Sequence, residues 1–171
     1  SSSITCFGGA NGSATATAIG TGPFTFTWNP ATTSVVIGAT TTASGMLTGT
    51  YNISVTDVSN GCITTQSIGI LQPTQMTITS NVTNASCNSS NNGSITAIIA
   101  GGTPNYTLNW LPAGTGTAIT NLSPGNYTVN ANDANGCIIT RTFVITAPSS
   151  LTVTATQTNI TCNSFTNGAI S

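Results

Sequence analysis

Five cysteines carry most of the covalent chemistry that this sequence offers. Cys6 and Cys62 form one pair in the sequence pattern, Cys87 and Cys137 form a second, and Cys162 stands alone. Four cysteines allow three pairings, and the internal symmetry of the chain selects the one that closes two similar loops of about 50 residues. The chain-entropy argument gives each loop about 4 kcal/mol of stabilisation. We therefore expect the disulfides Cys6–Cys62 and Cys87–Cys137, and for Cys162 a partner beyond the end of this sequence.

The cysteines also indicate a location. Disulfides form and persist in oxidising compartments, so the expected pairs predict an extracellular protein. The alternative is a cytosolic protein with five free thiols. A zinc site is not expected, because the chain has no His and no Cys-x-x-Cys spacing.

Groups for acid–base or nucleophilic catalysis are nearly absent. The chain has no His, Lys or Glu, and its charged side chains are Asp57, Asp133 and Arg141. It therefore offers few candidates for a general base or an activated nucleophile. Each aspartate precedes an Asn-Gly turn, where an Asp side chain commonly caps backbone amides; calcium binding, the alternative, normally uses several carboxylates per ion. We predict no enzyme activity, no metal site and no cofactor.

Acceptor triplets for N-glycosylation, Asn-x-Ser/Thr, are frequent. Many arise by chance in a chain so rich in Asn, Ser and Thr, and they are modified only where the host has the machinery. The Thr-rich segments are candidates for O-glycosylation. The candidate N-linked acceptors are Asn11, Asn52, Asn81, Asn84, Asn88, Asn92, Asn105, Asn121, Asn126 and Asn159.

The very low charge limits the partners of the protein. Charged residues make up 2% of the chain, against about 25% in an ordinary soluble domain. One Arg cannot neutralise nucleic-acid phosphates, and no apolar run reaches the roughly 20 residues that span a bilayer. A nearly neutral, β-rich surface also lacks the repulsion that keeps copies apart. We expect contacts with other copies or adjacent repeats, and surface glycans as a further candidate, but neither nucleic acid nor membrane insertion.

Two similar hairpins organise the chain. The segment GTYNISVTDVSNGC begins at Gly49, and GNYTVNANDANGC begins at Gly125. In both, an alternating strand leads into Asn-Gly, a pair typical of tight hairpin turns, and then into Cys. The hairpin therefore belongs to a repeated unit.

A fixed period supports tandem repeats. Pro73 and Pro148 are 75 residues apart, as are Cys87 and Cys162. Anchors that recur in one order at one spacing are the signature of a repeat array. We predict a first repeat at 1–73 without its first strand, a complete second repeat at 74–148, and the first strand and turn of a third at 149–171.

The complete repeat predicts an all-β fold of the immunoglobulin-like sandwich class, because its short strands are punctuated by Gly, Pro and Asn. Tyr51 and Tyr127 hold the position of a tyrosine corner, whose hydroxyl bonds back to nearby backbone. Trp28 and Trp110 end inward-facing aromatic rows. We expect these four aromatic residues in the core rather than at a ligand site. The predicted strands are MTITSNV, SITAIIA, NYTLNW, TAITNL, YTVNAND and CIITRTFVIT in the second repeat, SATATAI, TFTW, YNISV and CITTQSIGI in the first, and SLTVTAT in the third.

The complete repeat contains a set of short motifs in a fixed order. These are Cys87, Asn92-Gly93-Ser94, Gly101-Gly102-Thr103-Pro104-Asn105-Tyr106, Trp110, Leu122, Gly125-Asn126-Tyr127, Asp133 to Cys137, and Pro148. The ordered set resembles the SprB-type repeat of gliding-motility and cell-surface adhesins from gliding bacteria, over about two repeats. The first copy departs from it, with Gly20-Thr21-Gly22-Pro23-Phe24 and no Pro before Gly49. The resemblance implies a long, secreted, surface-displayed protein of stacked β-sandwiches.

These features together predict a structural role. We expect a segment of an extracellular surface filament or fibrous adhesin, a stiff disulfide-stapled rod that self-associates, with a single Pro stiffening each junction. Two alternatives stay open: an adhesin stalk that does not polymerise, and a glycan-binding module with exposed aromatic side chains in a groove. The C-terminal strand is also a candidate for addition to a neighbouring copy.

Overall fold

A computed structural model of the chain describes residues 1–30, 36–159 and 169–170, and every helix or strand in these ranges is a β-strand. All strand pairs are antiparallel. The strands are β1 (Gly12–Thr17), β2 (Phe24–Asn29), β3 (Val36–Ile37), β4 (Thr40–Met46), β5 (Gly49–Asp57), β6 (Ile63–Ile70), β7 (Thr77–Thr83), β8 (Gly93–Ala100), β9 (Thr107–Leu111), β10 (Ala118–Leu122), β11 (Gly125–Asn132), β12 (Ile138–Ile145), β13 (Gln157–Thr158) and β14 (Ala169–Ile170).

The strands enclose two separate hydrophobic cores. In the first sandwich, the pair β1–β4 packs on the sheet β3–β2–β5–β6, and in the second, β10–β8–β7 packs on β12–β11–β9. Two facing antiparallel sheets with this strand order are the immunoglobulin-like arrangement. The predicted all-β fold class is therefore confirmed.

Alternating side chains explain why most strands form where the sequence predicts them. In β11, Tyr127, Val129 and Ala131 are buried while their neighbours are more exposed, and in β2 Phe24 and Phe26 are buried in the same way. A period of two places one face of a strand against the core. The burial of these apolar faces is what fixes the register of each sheet.

Strand β4 escaped prediction because its pattern is interrupted. Its inward residues are Thr41, Ala43 and Met46, so the alternation shifts by one residue near its end. Gly45 has φ +69°, and the pairing with β1 is irregular at Gly12. A bulge of this kind breaks the period of two on which strand recognition depends.

The four aromatic residues expected in the core lie there. Trp28 and Trp110 are each 3% exposed, and Tyr51 and Tyr127 are also buried. The Tyr127 hydroxyl donates to the Ser123 carbonyl oxygen at 2.9 Å. The equivalent Tyr51 hydroxyl donates four residues back along the chain, to a carbonyl oxygen at 3.2 Å. Both hydroxyls therefore have the backbone partner that a tyrosine corner requires.

Arg141 closes one edge of the second sandwich. Its Nη1 donates to the Ile78 carbonyl oxygen at 2.9 Å, and its guanidinium carbon lies 5.7 Å from the centre of the Phe143 ring. Ile78 belongs to β7 in the facing sheet, so this side chain ties β12 to β7. The cation thus occupies a structural position.

The strand expected from SLTVTAT forms only after that segment. Residues 151–156 are exposed and outside any strand, while Gln157 pairs with Ile170 in the hairpin β13–β14. This is the register in which Val82 pairs with Ile95, 75 residues earlier. The strand prediction is therefore wrong for residues 151–156. Cys162 lies outside the described residues.

The Asn-Gly that follows Cys6 serves close packing rather than a hairpin turn. A Cβ atom on Gly12 would lie 2.6 Å from Ile70 Cγ2 and 2.8 Å from the Met46 carbonyl oxygen. In the second sandwich, a Cβ on Gly93 would lie 2.8 Å from a side-chain carbon and 3.0 Å from a carbonyl oxygen. Only glycine lets the start of the strand come this close to the end of the last strand.

The substitution Gly12→Ala should destabilise the first sandwich by about 1–3 kcal/mol, since a strand backbone must move to admit the methyl group. Gly69→Ala is the matched control in the same sandwich, because its Cβ would meet nothing within 4 Å. Urea unfolding followed by Trp fluorescence measures both. Equal effects of the two substitutions would contradict the packing role of Gly12.

Candidate functional site

A disulfide between Cys6 and Cys137 joins the first sandwich to the second. Their Cα atoms are 5.7 Å apart, and 131 residues separate them in sequence. Among the cysteines that the structure describes, Cys62 and Cys87 are free and exposed. The expected pairs Cys6–Cys62 and Cys87–Cys137 are therefore wrong.

The two cysteines of the first sandwich cannot meet because they lie at opposite ends of it. Ile4 N donates to the Leu71 carbonyl oxygen at 2.8 Å, which holds Cys6 beside the end of β6. Cys62 directly precedes the start of β6, a strand of 8 residues. At about 3.3 Å per residue, a strand of this length separates its ends by roughly 25 Å.

The second sandwich repeats this placement. Ala85 N donates to the Thr146 carbonyl oxygen at 3.0 Å, just after the end of β12, so Cys87 lies near that end. Cys137 directly precedes the start of β12. A disulfide within one sandwich is excluded by geometry in both cases, whereas the facing ends of neighbouring sandwiches bring Cys6 and Cys137 together.

A reciprocal side-chain pair holds the loop that presents Cys6. Asn11 Oδ1 accepts a hydrogen bond from Thr5 N at 3.1 Å, and Asn11 Nδ2 donates to Thr5 Oγ1 at 2.7 Å. Gly9 N donates to the Cys6 carbonyl oxygen at 3.0 Å, which closes a turn directly after the cysteine. The Asn of the Asn-Gly motif therefore orients the Cys6 loop, a role that sequence reasoning missed although the spacing Cys-x4-Asn-Gly occurs three times.

On the opposite side of the junction, the Asp133 carboxylate organises the turn that presents Cys137. It accepts hydrogen bonds from Thr103 N at 2.8 Å and from Asn135 N and Cys137 N at 2.9 Å each. The bond from Thr103 is the main cause that lowers the pKa of Asp133; burial acts against it, and the other two bonds add to it. The carboxylate acts as an acceptor for backbone donors.

Asp57 also caps the equivalent turn of the first sandwich, but with different donors, and Cys62 N donates to Asn60 Oδ1 at 2.9 Å rather than to the carboxylate. Its carboxylate accepts hydrogen bonds from the Ser59 hydroxyl, from Ser59 N at 2.9 Å and from Asn60 Nδ2 at 3.1 Å. The Ser59 hydroxyl is the first cause of the lowered pKa of Asp57. Within the described ranges, no group of three or more His, Cys, Asp or Glu is placed to hold a metal ion.

A direct hydrogen bond and a cleft accompany the disulfide. Asn135 Nδ2 donates to the Thr5 carbonyl oxygen at 3.0 Å, so the two loops touch across the junction. A cleft of about 490 Å³ beside them is lined by residues of both sandwiches, among them Phe7, Pro73 and Met76. The linking segment and the cysteine loop thus face the same space, and the junction has a covalent and a polar contact besides the backbone. The sequence indicates Asn135 as a turn residue but does not predict this contact with Thr5.

The candidate glycosylation sites are all on the surface. Each of the ten asparagines named above is exposed. Asn11 and Asn92 use their side-chain amides in the cysteine loops, donating to Thr5 and Ser86 respectively. Over the part of the chain that is described, no helix has the length and apolar character needed to cross a membrane.

The lowered pKa of Asp133 predicts that the stability of the second sandwich depends on pH. Folding favours the ionised carboxylate, so its contribution is complete above the ordinary pKa near 3.8 and is lost as the pH falls through the lower folded-state value. Asp133→Asn should lower Tm at neutral pH, and the difference between the two proteins should shrink as the pH falls through the lowered folded-state pKa of Asp133. Thermal unfolding by circular dichroism measures this. Asp57→Asn should show the same pH dependence in the first sandwich, because the pKa of Asp57 is lowered as well. An equal loss for Asp133→Asn at neutral and at acidic pH would contradict the carboxylate's role.

Solved structures with a similar fold come from several sources. Three N-terminal domains of the highly immunogenic outer capsid protein of bacteriophage RB49 give a TM-score of 0.45 and 18% identity, covering 84% of this chain and 56% of that one. A C-terminal 282-residue fragment of intimin, in complex with the intimin-binding domain of the translocated intimin receptor, gives 0.40 and 15%, covering 78% and 57%. The IgVJ-C2 molecule of amphioxus gives 0.37 and 13%, covering 81% and 97%. This chain spans little more than half of the first two, and such low scores carry no argument about function.

The comparison with protein families is more specific. No curated protein matches the chain. The family model of the SprB repeat matches residues 1–33 and 79–115. The first segment contains the Cys6 loop and the second contains the Cys87 loop, at equivalent positions of the two sandwiches. The resemblance expected from the motifs is confirmed: this chain carries SprB repeat sequence in both of its sandwiches.

Proposed function

We propose that this chain is a structural segment of an extracellular surface filament or fibrous adhesin, in which successive sandwiches form a stiff rod. The observation that carries the proposal is the disulfide Cys6–Cys137, which joins neighbouring sandwiches instead of stapling each one internally. A cross-link between units serves the geometry of an array more than the stability of any single unit.

The junction restrains bending through two separate connections. The backbone passes from one sandwich to the next through Pro73, and the disulfide joins them a second time at Cys6 and Cys137. Domains joined by a single linker move relative to each other by default, whereas a second covalent connection removes most hinge directions. In the chain-entropy model, closing a loop of this length is also worth about 5 kcal/mol relative to the unfolded chain.

The chemistry of the junction supports an extracellular location. A disulfide persists in an oxidising environment, and the SprB repeat is typical of cell-surface proteins. The exposed asparagines of the acceptor triplets offer sites for surface glycans in a host that has the machinery. The side-chain charges are used within the fold, which leaves the outer surface nearly neutral.

Self-association is supported by exposed apolar groups. Ile19 is 97% exposed, and Ile63 and Ile138 are 67% and 70% exposed. With a formal net charge of −1, long-range repulsion between copies is weak. Exposed apolar groups favour contacts between copies, the feature that separates a filament from an isolated adhesin stalk.

A glycan-binding module has less support. Such a site stacks sugars on exposed aromatic faces, but Trp28, Trp110, Tyr51 and Tyr127 are buried. Phe7 is half exposed and lines the junction cleft. An adhesin stalk that does not polymerise stays the alternative, and like the filament it would be built as a stiff rod.

The double substitution Cys6→Ser/Cys137→Ser should free the two sandwiches to reorient separately, because only the linker at Pro73 and the weak contacts of the junction remain. Backbone ¹⁵N relaxation measures this: the wild type should show one rotational correlation time for both sandwiches, and the variant two shorter ones. Cys62→Ser/Cys87→Ser is the matched control, since it removes two thiols and keeps the bridge. Independent reorientation in the oxidised wild type would overturn the stiff-rod proposal.

A further inference from the structure

The disulfide between Cys6 and Cys137 offers a second route for a pull that acts along the chain. The two Cα atoms are 5.7 Å apart, although 131 residues separate them in sequence. A pull that arrives by the backbone before Cys6 and leaves by the backbone after Cys137 can therefore follow the enclosed segment, residues 7–136, or the bridge itself. Of two connections in parallel, the shorter and stiffer one carries more of the pull.

The route through the enclosed segment depends on many weak contacts. Between the two cysteines the chain forms β1 to β11, which are held by antiparallel hydrogen bonds and by the two hydrophobic cores. A typical hydrogen bond contributes about 0.5–1.5 kcal/mol to stability, so strands on this route can separate in turn. The bridge is a covalent bond between two side chains and gives way only when that bond breaks.

Strand β12 receives the pull directly after the bridge. Cys137 precedes Ile138, and β12 runs from there to Ile145 with every residue paired to β11. A strand rises about 3.3 Å per residue, against at most about 3.6 Å in a fully extended chain, so tension lengthens β12 very little. Just beyond the strand, Thr146 N donates to Asn84 Oδ1 at 3.0 Å. The pull can thus pass through the second sandwich along one backbone, without shearing a sheet.

Without the bridge, the pull has to cross the second sandwich through non-covalent contacts. It enters by the linker at Pro73 and β7, and it leaves by β12, which belongs to the other sheet. Just after these strands, Ala85 N donates to the Thr146 carbonyl oxygen, so β7 and β12 end side by side and run in the same direction. Pulling the start of β7 against the end of β12 shears them past each other, against contacts such as the hydrogen bond from Arg141 to the Ile78 carbonyl oxygen.

On the N-terminal side, the contacts before Cys6 are local. Ser2 and Ser13 exchange two backbone hydrogen bonds, of 2.7 and 3.2 Å, and Ile4 N donates to the Leu71 carbonyl oxygen at 2.8 Å. Ile4 is also buried. When tension opens these contacts, it frees the short stretch that precedes the bridge, and the pull then acts on the disulfide itself.

We propose that the Cys6–Cys137 disulfide carries tension past the folded strands, so that a pull along the chain acts on the bridge and on β12 while the two cores stay unloaded. The enclosed segment then cannot be drawn out: at about 3.6 Å per residue, the separation of 131 residues keeps roughly 470 Å of chain out of reach. This inference goes beyond the proposed function, because it concerns a pull along the chain rather than bending, and it applies to a filament and to an adhesin stalk alike.

Magnetic tweezers with a buried reporter thiol test this on the full chain. Ala97→Cys adds the reporter in the second core, where Ala97 is 4% exposed. The bridged variant keeps the disulfide, and the matched unbridged variant carries Cys6→Ser/Cys137→Ser. Protein tags fused to both ends hold each chain, and intact mass confirms the bridge. In both variants Ser replaces the three cysteines outside the bridge, which are Cys62, Cys87 and Cys162.

The reporter should distinguish the two variants under tension. A tension is chosen that unfolds the unbridged variant, and a maleimide dye is then supplied. Labelling follows the population of the opened state, so the thiol at position 97 should react about tenfold more slowly, or less, in the bridged variant. Without tension neither variant should react, which shows that both fold. Ala43→Cys, at a fully buried position of β4, repeats the measurement in the first core.

The extension recorded in the same experiment gives a second readout, since the fully stretched lengths of the two variants should differ by about 470 Å. Equal labelling of the bridged and unbridged variants under the same tension would overturn the inference and leave the stiff rod standing. Independent reorientation of the two sandwiches in the relaxation experiment would remove the rod and not the tension route. A chain that forms no Cys6–Cys137 bridge under oxidising conditions would overturn both.

Discussion

The direction of the strands decides where disulfides form in this protein. In each sandwich, one cysteine precedes the first strand after the cysteine loop, β1 or β8. The other cysteine precedes the last strand, β6 or β12, which runs in the opposite direction. Cys6 and Cys62 are therefore a strand length apart, as are Cys87 and Cys137. A bond can then join only the facing ends of successive sandwiches. The cross-link between Cys6 and Cys137 follows from this constraint.

Two sets of polar hydrogen bonds hold the cysteines at the facing ends of the sandwiches. On one side, Asn11 fixes the cysteine loop while Gly12 lets the strand begin against Ile70. On the other, the Asp133 carboxylate gathers three backbone N–H groups and sets the turn before Cys137. Polar groups whose hydrogen-bonding partners are all present fix the local geometry around them. The charged side chains of Asp57, Asp133 and Arg141 each hold part of the fold in place.

Much of the fold could be predicted because it depends on local alternation and on turn chemistry. The inward rows of β2 and β11 and the tyrosine corner at Tyr127 are readable residue by residue. Strand β4 was missed because a bulge at Gly45 breaks the alternation. The pairing of the cysteines was wrong for a different reason. Repeat symmetry relates Cys6 to Cys87, but it does not say whether a cysteine bonds within its own repeat or in the next, and only the strand directions decide that.

The bridge encloses a long stretch of chain in one covalent ring. Residues 6 to 137 form a closed loop, because the backbone, with a sequence separation of 131, and one disulfide connect the same two points. A protease that cuts once inside this ring opens it but releases no fragment, since the disulfide still joins the two pieces. Where such rings follow one another, severing the strand would require a cut and a reduction at the same junction. The arrangement gives a surface protein tolerance to single proteolytic nicks that a string of separately stapled domains would lack between its domains.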